Sequence, residues 1–336
     1  MTSLRILISI LNWNKAAVTL QCLDALQQSD WGGANVEILV IDNGSSDADY
    51  AQLANAAPRA NTSIVHLEKN LGFTGGHNIS LARAVAENYD FIWLLNNDAI
   101  VTPSTLASLL RAICVDPRCG AVSPVIYSAE GVAHNNAWGV THDWRHRKNM
   151  WIGSEAESRR LHTEQPENIC MTGTAVLFRV QTIREVGKLD ERLFAYYDDN
   201  DIGTRLARGG WISKVVFDSR ILHADRPNTV QPPYFFYLMA RNDMLFWHTH
   251  TPSHLRHLLW LKIVDGALFD VNRLRAKGLD KQADAALLGV SDFISGRFGA
   301  PELSRRAPLP LRLACRLRRA AHQKHQSSQA TAASSA

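Results

Sequence analysis

Three carboxylates, those of Asp198, Asp199 and Asp201, lie within four consecutive positions, and a segment with helical character follows them. Crowded acids raise one another's pKa, which suits a general base, whereas a helix N-terminus favours their charged forms. Because the two effects oppose, we expect no net change of these pKa values. The residues alone leave three interpretations open: an acidic helix start, a metal site or a catalytic base. Asp201 has the i,i+4 spacing for an ion pair with Arg205 and is the predicted structural member.

Polar side chains also follow the apolar segments of the first 130 residues. Clusters of Asn, Asp and Gly stand where predicted strands end, at residues 12–14, 42–47, 70–78 and 96–98. These are typical turn residues, so each cluster alone has a simple structural explanation. In a parallel sheet, however, the carboxyl ends of the strands lie at one edge, where ligands bind. The four clusters together therefore predict a ligand site at that edge.

Three of these clusters suggest contacts to a phosphate-bearing ligand. Asp98 follows the apolar segment FIWLL, and a carboxylate there could hold a hard cation that bridges two phosphates. Gly72, Gly75 and Gly76 precede a predicted helix and would let backbone N–H groups approach a ligand. Their spacing differs from the G-x-G-x-x-G of dinucleotide sites, and no P-loop motif is present. Asp42 could accept a hydrogen bond from a ribose hydroxyl or a base N–H, although a turn explains it equally well.

The segments that must position these side chains alternate between strands and helices. Apolar strands separated by helices predict parallel βαβ units with both faces of the sheet covered. Strands are predicted at 4–11, 36–41, 63–67, 91–95, 121–126, 171–179 and 214–217. Helices are predicted at 17–28, 79–87 and 105–114, at the acidic cluster, and over most of 234–295. Residues 131–168 lack a clear period, which indicates a long functional loop.

Charge and cysteine content narrow the class of protein. The chain has 336 residues and a net charge of +4, but the segment from Pro301 onward holds seven basic residues and one acidic residue. The remainder is slightly acidic and offers no known nucleic-acid-binding module, so we expect no nucleic-acid partner. Five cysteines without a CxxC pair predict a reduced, cytoplasmic protein without a zinc ribbon. The N-terminus does not fit a signal peptide, and no apolar run reaches the length of a membrane span.

The basic C-terminal segment interleaves arginines with leucines. A basic amphipathic segment can lie on an anionic membrane surface, which predicts peripheral contact with the inner face of the plasma membrane. A solvated terminal helix that covers the body fits the same residues, and both interpretations stay open. The last residues, 326–336, are low in complexity and are predicted to be disordered.

The ordered set of motifs resembles the family 2 glycosyltransferases with the GT-A fold and is most similar to their bacterial rhamnosyltransferase-like branch. The matching stretches are ILNWN (10–14), VIDNGSSD (40–47), NLGFTGGHN (70–78), LLNNDAIV (94–101), TGTAVLFR (172–179) and LDERLFAYYDDNDIGTRLARGGW (189–211). The resemblance implies an α/β nucleotide-diphospho-sugar transferase fold, in which helices flank a Rossmann-like, mostly parallel sheet, with a C-terminal helical extension.

We expect the chain to divide into a catalytic domain and a helical region. A catalytic domain would span residues 1–232, with a nucleotide-binding half at about 1–130 and an acceptor half at about 131–232. Residues 233–325 would form a helical region that packs beside the catalytic domain and shapes the acceptor site or a homodimer contact. The family resemblance carries no motif beyond about residue 250.

Roles follow residue by residue from the matching motifs. Contacts to the nucleoside diphosphate of the donor are implied for Asn12, Asp42, Asn70, Gly72, Asn78, Asn97 and Arg241. Asp98 stands in the family's D-x-D metal motif, with Asn96 in place of the earlier acid. One carboxylate is then missing, which leaves the requirement for Mg²⁺ or Mn²⁺ open. His223 resembles a residue that assists the metal or the diphosphate, and a surface histidine is the alternative.

Asp199 aligns with the catalytic base in the family's E-D-x-D motif, and Asp198 would be an acceptor-side or capping group. The resemblance implies inverting transfer of a sugar to a glycan or lipid-linked acceptor in cell-surface polysaccharide synthesis. Rhamnose from dTDP-rhamnose is the expected donor sugar, and a UDP-sugar is the other donor considered. A nucleotide-sugar-binding protein that has lost catalysis is the alternative. A nucleotidyltransferase is disfavoured, because the loop after the first strand has Lys15 but no glycine.

Overall fold

The structure is a computed structural model that describes residues 3–56, 59–128, 130–134, 137–223 and 230–318. The side chains of 257–262 are not described, and the predicted disordered tail at 326–336 lies outside the described residues. The chain divides into two compact units, residues 1–227 and 228–336.

A twisted sheet of eight strands forms the centre of the first unit. Its strands are β1 (Arg5–Asn12), β2 (Asn35–Asp42), β3 (Thr62–His66), β4 (Phe91–Asn96), β5 (Ala99–Val101), β6 (Cys119–Tyr127), β9 (Ala175–Arg179) and β10 (Ile212–His223). Their order across the sheet is β3-β2-β1-β4-β9-β6-β10-β5. The strand cores are continuous buried apolar runs, as in Ile6–Ile8 and Phe91–Leu95, because helices cover both faces. The predicted α/β class with a mostly parallel sheet is confirmed.

Strands β1 to β4 run parallel, and their ends are in register. Asn12 at the end of β1 lies beside Asp42 at the end of β2, and Asp42 lies beside His66 at the end of β3. Asn96 ends β4 on the other side of β1, opposite Leu11. The predicted convergence of the strand ends at one edge is therefore confirmed.

Strand β9 runs antiparallel to both of its neighbours, β4 and β6. The sequence predicts a strand here but not its direction. Because β9 is reversed, its first residue, Ala175, pairs with Leu95 near the carboxyl end of β4. The segment before β9 thereby reaches the same edge of the sheet, where the Asn96 N–H donates to the Thr174 carbonyl (2.9 Å).

Helices of the first unit connect the strands. They are α1 (Ala16–Gln27), α2 (Asp47–Ala56), α3 (Gly72–Ala86), α4 (Thr105–Val115), α5 (Glu155–Glu164), α6 (Val180–Val186) and α7 (Asp198–Arg208). Helix α3 begins earlier than the predicted residue 79, because its glycines lie inside the first turns. A Cβ on Gly76 would come within 2.8 Å of the Leu11 side chain, so the missing side chain lets α3 pack closely on β1.

Residues 131–168, predicted as a long loop, contain ordered elements. A hairpin pairs β7 (Val140–Asp143) with β8 (Lys148–Trp151), and α5 follows. The Ser154 hydroxyl accepts a hydrogen bond from the Glu157 N–H (3.2 Å) and caps α5. The strands are short and carry charged residues, so they lack the alternation by which strands are recognised.

The second unit is helical, as predicted. It contains α8 (Pro233–His250), α9 (Leu259–Ala276), α10 (Asp280–Ile294) and a helical segment at residues 309–318. Its small apolar core includes Leu268, Val271, Ala283, Leu287 and Cys315. None of the helices in the described ranges is long and apolar enough to cross a bilayer.

Candidate active site

A chain of hydrogen bonds joins the ends of four neighbouring strands. The Asn12 amide donates to Asp42 Oδ1 (2.7 Å) and accepts from the Thr19 hydroxyl (2.7 Å). The Asn97 amide in turn donates to Thr19 (2.9 Å). On the other side, His66 Nδ1 donates to Asp42 Oδ2 (2.7 Å). Three of the predicted nucleotide contacts, Asn12, Asp42 and Asn97, therefore belong to one network.

Asp42 is completely buried, and both of its oxygens accept hydrogen bonds from this network. The side chain of His66 remains 35% exposed, and its ring lies 4.1 Å from the ring of Tyr50. Trp13, which directly follows Asn12, is 51% exposed. The carboxylate of Asp42 is therefore not itself at the surface, but it holds His66 and Asn12, which lie at or beside exposed side chains.

Asn70 and Gly72 shape the loop that leads into α3. Asn70 Oδ1 accepts from the Gly72 N–H (2.7 Å) and from the Asn43 amide (3.1 Å). Asn43 Oδ1 also accepts from the Leu71 N–H (2.9 Å), so two asparagines fix this loop. Gly72 has a φ of +76°, and a Cβ there would lie 2.3 Å from the Phe194 carbonyl oxygen. Only glycine permits both this backbone conformation and this approach.

Asn78 holds the chain segment that leads towards the acidic cluster. Its Oδ1 accepts from the Leu189 N–H (3.0 Å), and its amide donates to the Leu189 carbonyl (2.9 Å) and to Glu191 Oε1 (2.9 Å). The residue is buried. With both amide hydrogens used in this way, Asn78 positions residues 189–191, and its predicted contact with the nucleotide stays a prediction.

The backbone before α7 turns sharply. Phe194, Tyr196 and Tyr197 have φ values of 64°, 68° and 67°, which place three non-glycine residues in the left-handed region. The Phe194 carbonyl accepts from the Thr74 N–H at the start of α3 (3.1 Å). Strained residues of this kind persist only where the surrounding structure holds them, and here they direct the start of α7.

Asp199 is held at the carboxyl edge of the sheet. Its Oδ2 accepts from the Gly173 N–H (3.2 Å), and its Oδ1 accepts from the backbone N–H (2.8 Å) and the amide (2.7 Å) of Asn200. Gly173 adjoins Thr174, whose carbonyl accepts from Asn96 at the end of β4. The predicted base and the Asn96–Asp98 motif are therefore joined through two consecutive residues, and Asp199 keeps part of its surface exposed.

The acidic cluster does not behave as expected from its charges alone. Burial, followed by the neighbouring Asp199, raises the pKa of Asp198 to about 8. Removal from water also raises the pKa of Asp199, against the hydrogen bonds that favour its ionised form. The expectation of no net change is therefore wrong. It omitted the largest cause, the transfer of the carboxyls into an apolar setting that includes a cavity of about 20 Å³ lined by Phe73, Leu94 and Val176.

The predicted ion pair between Asp201 and Arg205 is confirmed, with Nη2 2.7 Å and Nε 2.9 Å from Asp201 Oδ2. Arg205 also donates to the carbonyls of Val186 and Lys188. The pair ties α7 to the end of α6, which is a structural role.

Asp98 and His223 come together from distant parts of the chain. His223 ends β10 and pairs with Ala99 of β5, which places its Nε2 3.0 Å from Asp98 Oδ1. The side chains are 27% and 14% exposed, respectively, so His223 is not the surface histidine of the alternative interpretation. Burial opposes ionisation of Asp98, but the hydrogen bond and charge of His223 outweigh it, and the pKa of Asp98 lies below its usual value.

This pair can supply a carboxylate oxygen and an imidazole nitrogen to a divalent cation. Within the described ranges no group of three or more His, Cys, Asp or Glu side chains is arranged to hold a metal ion. Two protein ligands are sufficient where a diphosphate supplies further oxygens. The donor set therefore fits a cation that binds together with a phosphate-bearing ligand.

Arg241 belongs to the second unit, on α8, and is completely buried. Its Nη1 donates to the Gly299 carbonyl (2.7 Å), and its Nε donates to Asn242 Oδ1 (3.1 Å). Burial lowers the pKa of its guanidinium. These contacts join α8 to the segment after α10, and the predicted contact with a diphosphate stays a prediction.

Several residues of the network were not predicted from the sequence. Thr19, seven residues after Asn12, bridges it to Asn97, and Asp49 accepts a second hydrogen bond from Asn12 (2.8 Å). His66 carried a usable signal, since it ends the third predicted strand as Asn12 and Asp42 end the first two. Thr19 and Asp49 lie on helices, where sequence spacing does not show which strand end they face.

Comparison with known proteins assigns the family. The model of glycosyl transferase family 2 matches residues 7–187, which is more than half of the chain. The chain belongs to glycosyl transferase family 2. This glycosyltransferase is 28% identical over 218 residues to the N-acetylglucosaminyl-diphospho-decaprenol L-rhamnosyltransferase of Mycobacterium tuberculosis, covering 59% of the chain and 69% of that relative. It is 27% identical to the galactofuranosyltransferase GlfT1 of the same organism, over 55% of the chain and 60% of that relative.

Solved structures of glycosyltransferases share the fold of this family 2 member. The mannosyltransferase PcManGT from Pyrobaculum calidifontis, in complex with GDP-Man and Mn²⁺, aligns with a TM-score of 0.53 and 14% identity over 88% of each chain. Residues 1–349 of S. aureus TarS, in complex with UDP-GlcNAc, align with a TM-score of 0.56 and 14% identity over 87% of this chain and 81% of that one. At this identity the likeness shows the fold alone, which is GT-A.

Proposed function

We propose that this glycosyltransferase transfers rhamnose from dTDP-rhamnose, with inversion, to a lipid-linked saccharide in cell-surface polysaccharide synthesis. The observation that carries the mechanism is the position of Asp199, whose carboxylate binds Gly173 one residue from the carbonyl that accepts from Asn96. The similarity to a rhamnosyltransferase whose name specifies a decaprenol-linked acceptor supports the sugar and the acceptor class.

The donor would bind along the edge formed by the strand ends. Trp13 and His66 offer exposed aromatic faces for a nucleobase, and Asp42 fixes His66 from below. Asp98 and His223 would hold Mg²⁺ or Mn²⁺, and the cation would supply positive charge beside the diphosphate of the donor. The similar PcManGT structure is a complex with GDP-Man and Mn²⁺, which supports the binding of a divalent cation by proteins of this fold.

Asp199 would act as the general base. An acceptor hydroxyl gives its proton to the carboxylate while its oxygen forms a bond to the anomeric carbon. The bond between that carbon and the diphosphate oxygen breaks at the opposite face, and the electron pair leaves with the nucleoside diphosphate. A base with a raised pKa accepts a proton more readily near neutral pH, and the three hydrogen bonds to Asp199 fix its direction.

The test combines donor binding with transfer. A thermal-shift screen of dTDP-, UDP- and GDP-sugars, with and without Mg²⁺ or Mn²⁺, identifies the donor by a rise in Tm. Transfer is then measured with a polyprenyl-diphosphate-linked acceptor. Asp199→Asn should lower kcat by about 10²- to 10⁴-fold while donor binding persists. Asp218→Asn on the exposed side of β10 is the matched control and should leave kcat unchanged.

The outcomes separate the two functions. If Asp199→Asn transfers sugar as fast as wild type, the assignment of the base is wrong. If wild type binds a nucleotide sugar but transfers nothing to any acceptor, the chain is a nucleotide-sugar-binding protein that has lost catalysis. A β-linked product from a β-linked donor would exclude inversion.

The cellular site follows from the acceptor. A lipid-linked acceptor and five free cysteines support action at the cytoplasmic face of the plasma membrane. The helical unit would form a homodimer contact, and size-exclusion chromatography of the full chain tests the dimer.

A further inference from the structure

Helix 309–318 presents an uncovered apolar face. Leu309, Leu313 and Leu317 recur at every fourth residue, which places them on one side of the helix, and they are 61%, 46% and 71% exposed. We call these three residues the leucine stripe. Single exposed leucines are common, whereas an aligned set on a terminal helix marks an interaction surface.

The opposite face fixes the helix to the second unit. Cys315 is 2% exposed, and Leu311 packs against the same apolar core. The Cys315 carbonyl accepts from the Asn272 amide on α9 (3.0 Å), and Arg318 forms an ion pair with Asp265. Because these contacts hold the inner face, the leucine stripe stays directed outward.

A basic groove lies along one flank of the leucine stripe. Arg312 and Arg316 each precede a stripe leucine and line this groove, whose other basic residues are Arg275, Lys281, Arg305 and Arg306. The groove has a volume of about 760 Å³. Its lining includes Asp284, but that carboxylate is already paired with Arg275 (2.5 Å).

Four basic side chains of the groove have no carboxylate partner among the described residues. In the described part of the chain, no carboxylate forms an ion pair with Lys281, Arg306, Arg312 or Arg316. Like charges so close together repel one another, and an anionic ligand relieves that repulsion. The groove is therefore suited to phosphate groups.

We propose that the leucine stripe and the basic groove bind the surface of an anionic lipid bilayer. The leucines enter the boundary between headgroups and acyl chains, and the groove arginines bind lipid phosphates beside them. Apolar residues flanked by cations match a surface where phosphates and acyl chains adjoin. The inference rests on the proposed function in one respect, which is that membrane binding would bring the enzyme to a lipid-linked acceptor. The binding of vesicles itself does not depend on sugar transfer.

A second copy of the chain is a poorer occupant of this face. Three leucines expose on the order of a few hundred Å², well below the roughly 1,200–2,000 Å² that stable interfaces bury. Two copies that met through this face would also bring the same arginines together, and like charges across an interface oppose association.

Vesicle flotation of the full chain tests the proposal. Wild type should bind vesicles of phosphatidylcholine with phosphatidylglycerol and not vesicles of phosphatidylcholine alone, and high salt should weaken binding. The triple variant Leu309→Gln, Leu313→Gln, Leu317→Gln should lower the partition coefficient about tenfold or more. The double variant Arg312→Gln, Arg316→Gln should remove the preference for anionic lipid.

Matched controls change exposed residues of the first unit. Val115→Gln, at an 82% exposed position at the end of α4, and Arg160→Gln on α5 should bind vesicles as wild type does. All variants should keep the wild-type Tm, because the changed side chains are exposed or, in the case of Arg312, half-buried without a carboxylate partner among the described residues. Binding of wild type to neutral and anionic vesicles alike, or equal binding by the leucine variant, would overturn the proposal. So would a leucine variant that changes only the oligomeric state in size-exclusion chromatography.

Transfer to a water-soluble acceptor, measured alongside, keeps the two proposals separate. Anionic-lipid binding without any transfer would count against the proposed function alone. Transfer without lipid binding would count against the docking surface alone.

Discussion

At the scale of single residues, Asp42 acts through its neighbours. It is buried, its two oxygens bind Asn12 and His66, and the exposed groups beside it are His66 and Trp13. A buried carboxylate that accepts two hydrogen bonds fixes both donors, since either one would lose a charged partner if it rotated away. Asp42 therefore positions Asn12 and His66, which line the proposed donor pocket.

Replacing Asp42 with Asn should weaken donor binding more than catalysis. The amide has a single acceptor oxygen and no charge, so it cannot replace both oxygens of the carboxylate, which bind Asn12 and His66. Hydrogen bonds to charged groups contribute about 1.5–3 kcal/mol. We expect KM for the nucleotide sugar to rise about tenfold or more, with kcat within about twofold of wild type. Asp24→Asn, at an exposed aspartate paired with Arg59, is the control. A fall in kcat at unchanged KM would contradict the positioning role.

Replacing Asp198 with Asn should stabilise the protein, increasingly so at higher pH. The folded-state pKa of Asp198, about 8, lies above its ordinary value of 3.8, so the folded state holds a proton that the unfolded state releases. Its contribution to stability is present below pH 3.8 and is lost as the pH rises through 8. Asn does not titrate, so the difference in Tm should be small near pH 4 and should reach several °C near pH 8.

Melting curves across this pH range measure the effect, and Asp218→Asn, at an exposed aspartate of β10, is the control. A difference in Tm that does not change with pH would show that Asp198 is ionised throughout.

At the scale of elements, the start of α7 depends on the start of α3. Gly72 lets the Phe194 carbonyl approach the first turn of α3, where Thr74 binds it. Four residues later the chain enters α7 with Asp198 and Asp199. The direction of Asp199, the proposed base, is thus set by contact between two helix starts that are far apart in sequence.

Replacing Gly72 with Ala should therefore reduce kcat through displacement of α7. The Cβ would lie 2.3 Å from the Phe194 carbonyl oxygen, which cannot yield without moving the residues before Asp198. Gly210→Ala is a matched control, because Gly210 has a similar φ of +80° and nothing within 4 Å of the added Cβ. Gly210→Ala should lose about 1 kcal/mol of stability from its backbone conformation, and Gly72→Ala should lose more because of the added clash. Only Gly72→Ala should lower kcat, by about tenfold or more. Equal kinetics of the two variants would show that the contact does not position the base.

The sequence predicts elements better than it predicts their directions and contacts. Strands β1 to β4 and the helices between them follow from apolar periodicity and turn residues, so the edge carrying Asn12, Asp42 and Asn97 is predictable. The antiparallel direction of β9 cannot be predicted in this way, because it depends on which strands β9 pairs with in the folded sheet. The pairing of Asp98 with His223 required the resemblance, since 125 residues separate them in the sequence. The raised pKa values of the acidic cluster depend on burial, which spacing does not reveal.

At the scale of the whole molecule, each of the two units has its own apolar core and its own buried carboxylate that binds neighbouring elements. In the second unit, Asp292 is 1% exposed, accepts from the Tyr237 hydroxyl (2.8 Å) and pairs with Arg305. This carboxylate joins α8, α10 and the segment that leads to helix 309–318. Asp292 thus links three parts of the second unit, as Asp42 links the ends of β1 and β3 in the first.

Replacing Asp292 with Ala should destabilise the second unit and leave donor binding intact. Removing one partner of a buried ion pair leaves the other charge without a partner, and the free energy of unfolding should fall by about 3 kcal/mol. Limited proteolysis with mass spectrometry should show faster cleavage within residues 230–318 and unchanged cleavage within 3–223. Asp284→Asn, at a 71% exposed aspartate, is the control. A higher KM for the nucleotide sugar would contradict the assignment of donor binding to the first unit.

The register of β1, β2 and β3 has a consequence for how this enzyme tolerates changes in length. Asn12, Asp42 and His66 sit side by side because each ends its strand at the same level, and consecutive side chains of a strand point to opposite faces. Deleting one residue from the interior of β2 would turn either Asp42 or the side chains before the deletion to the opposite face, so that Asp42 loses both partners or apolar residues such as Val36 leave their packing positions. The loop at residues 28–34 has no such alternation to preserve. A codon-deletion scan should therefore find this loop permissive, and the interior of β2 intolerant at every position.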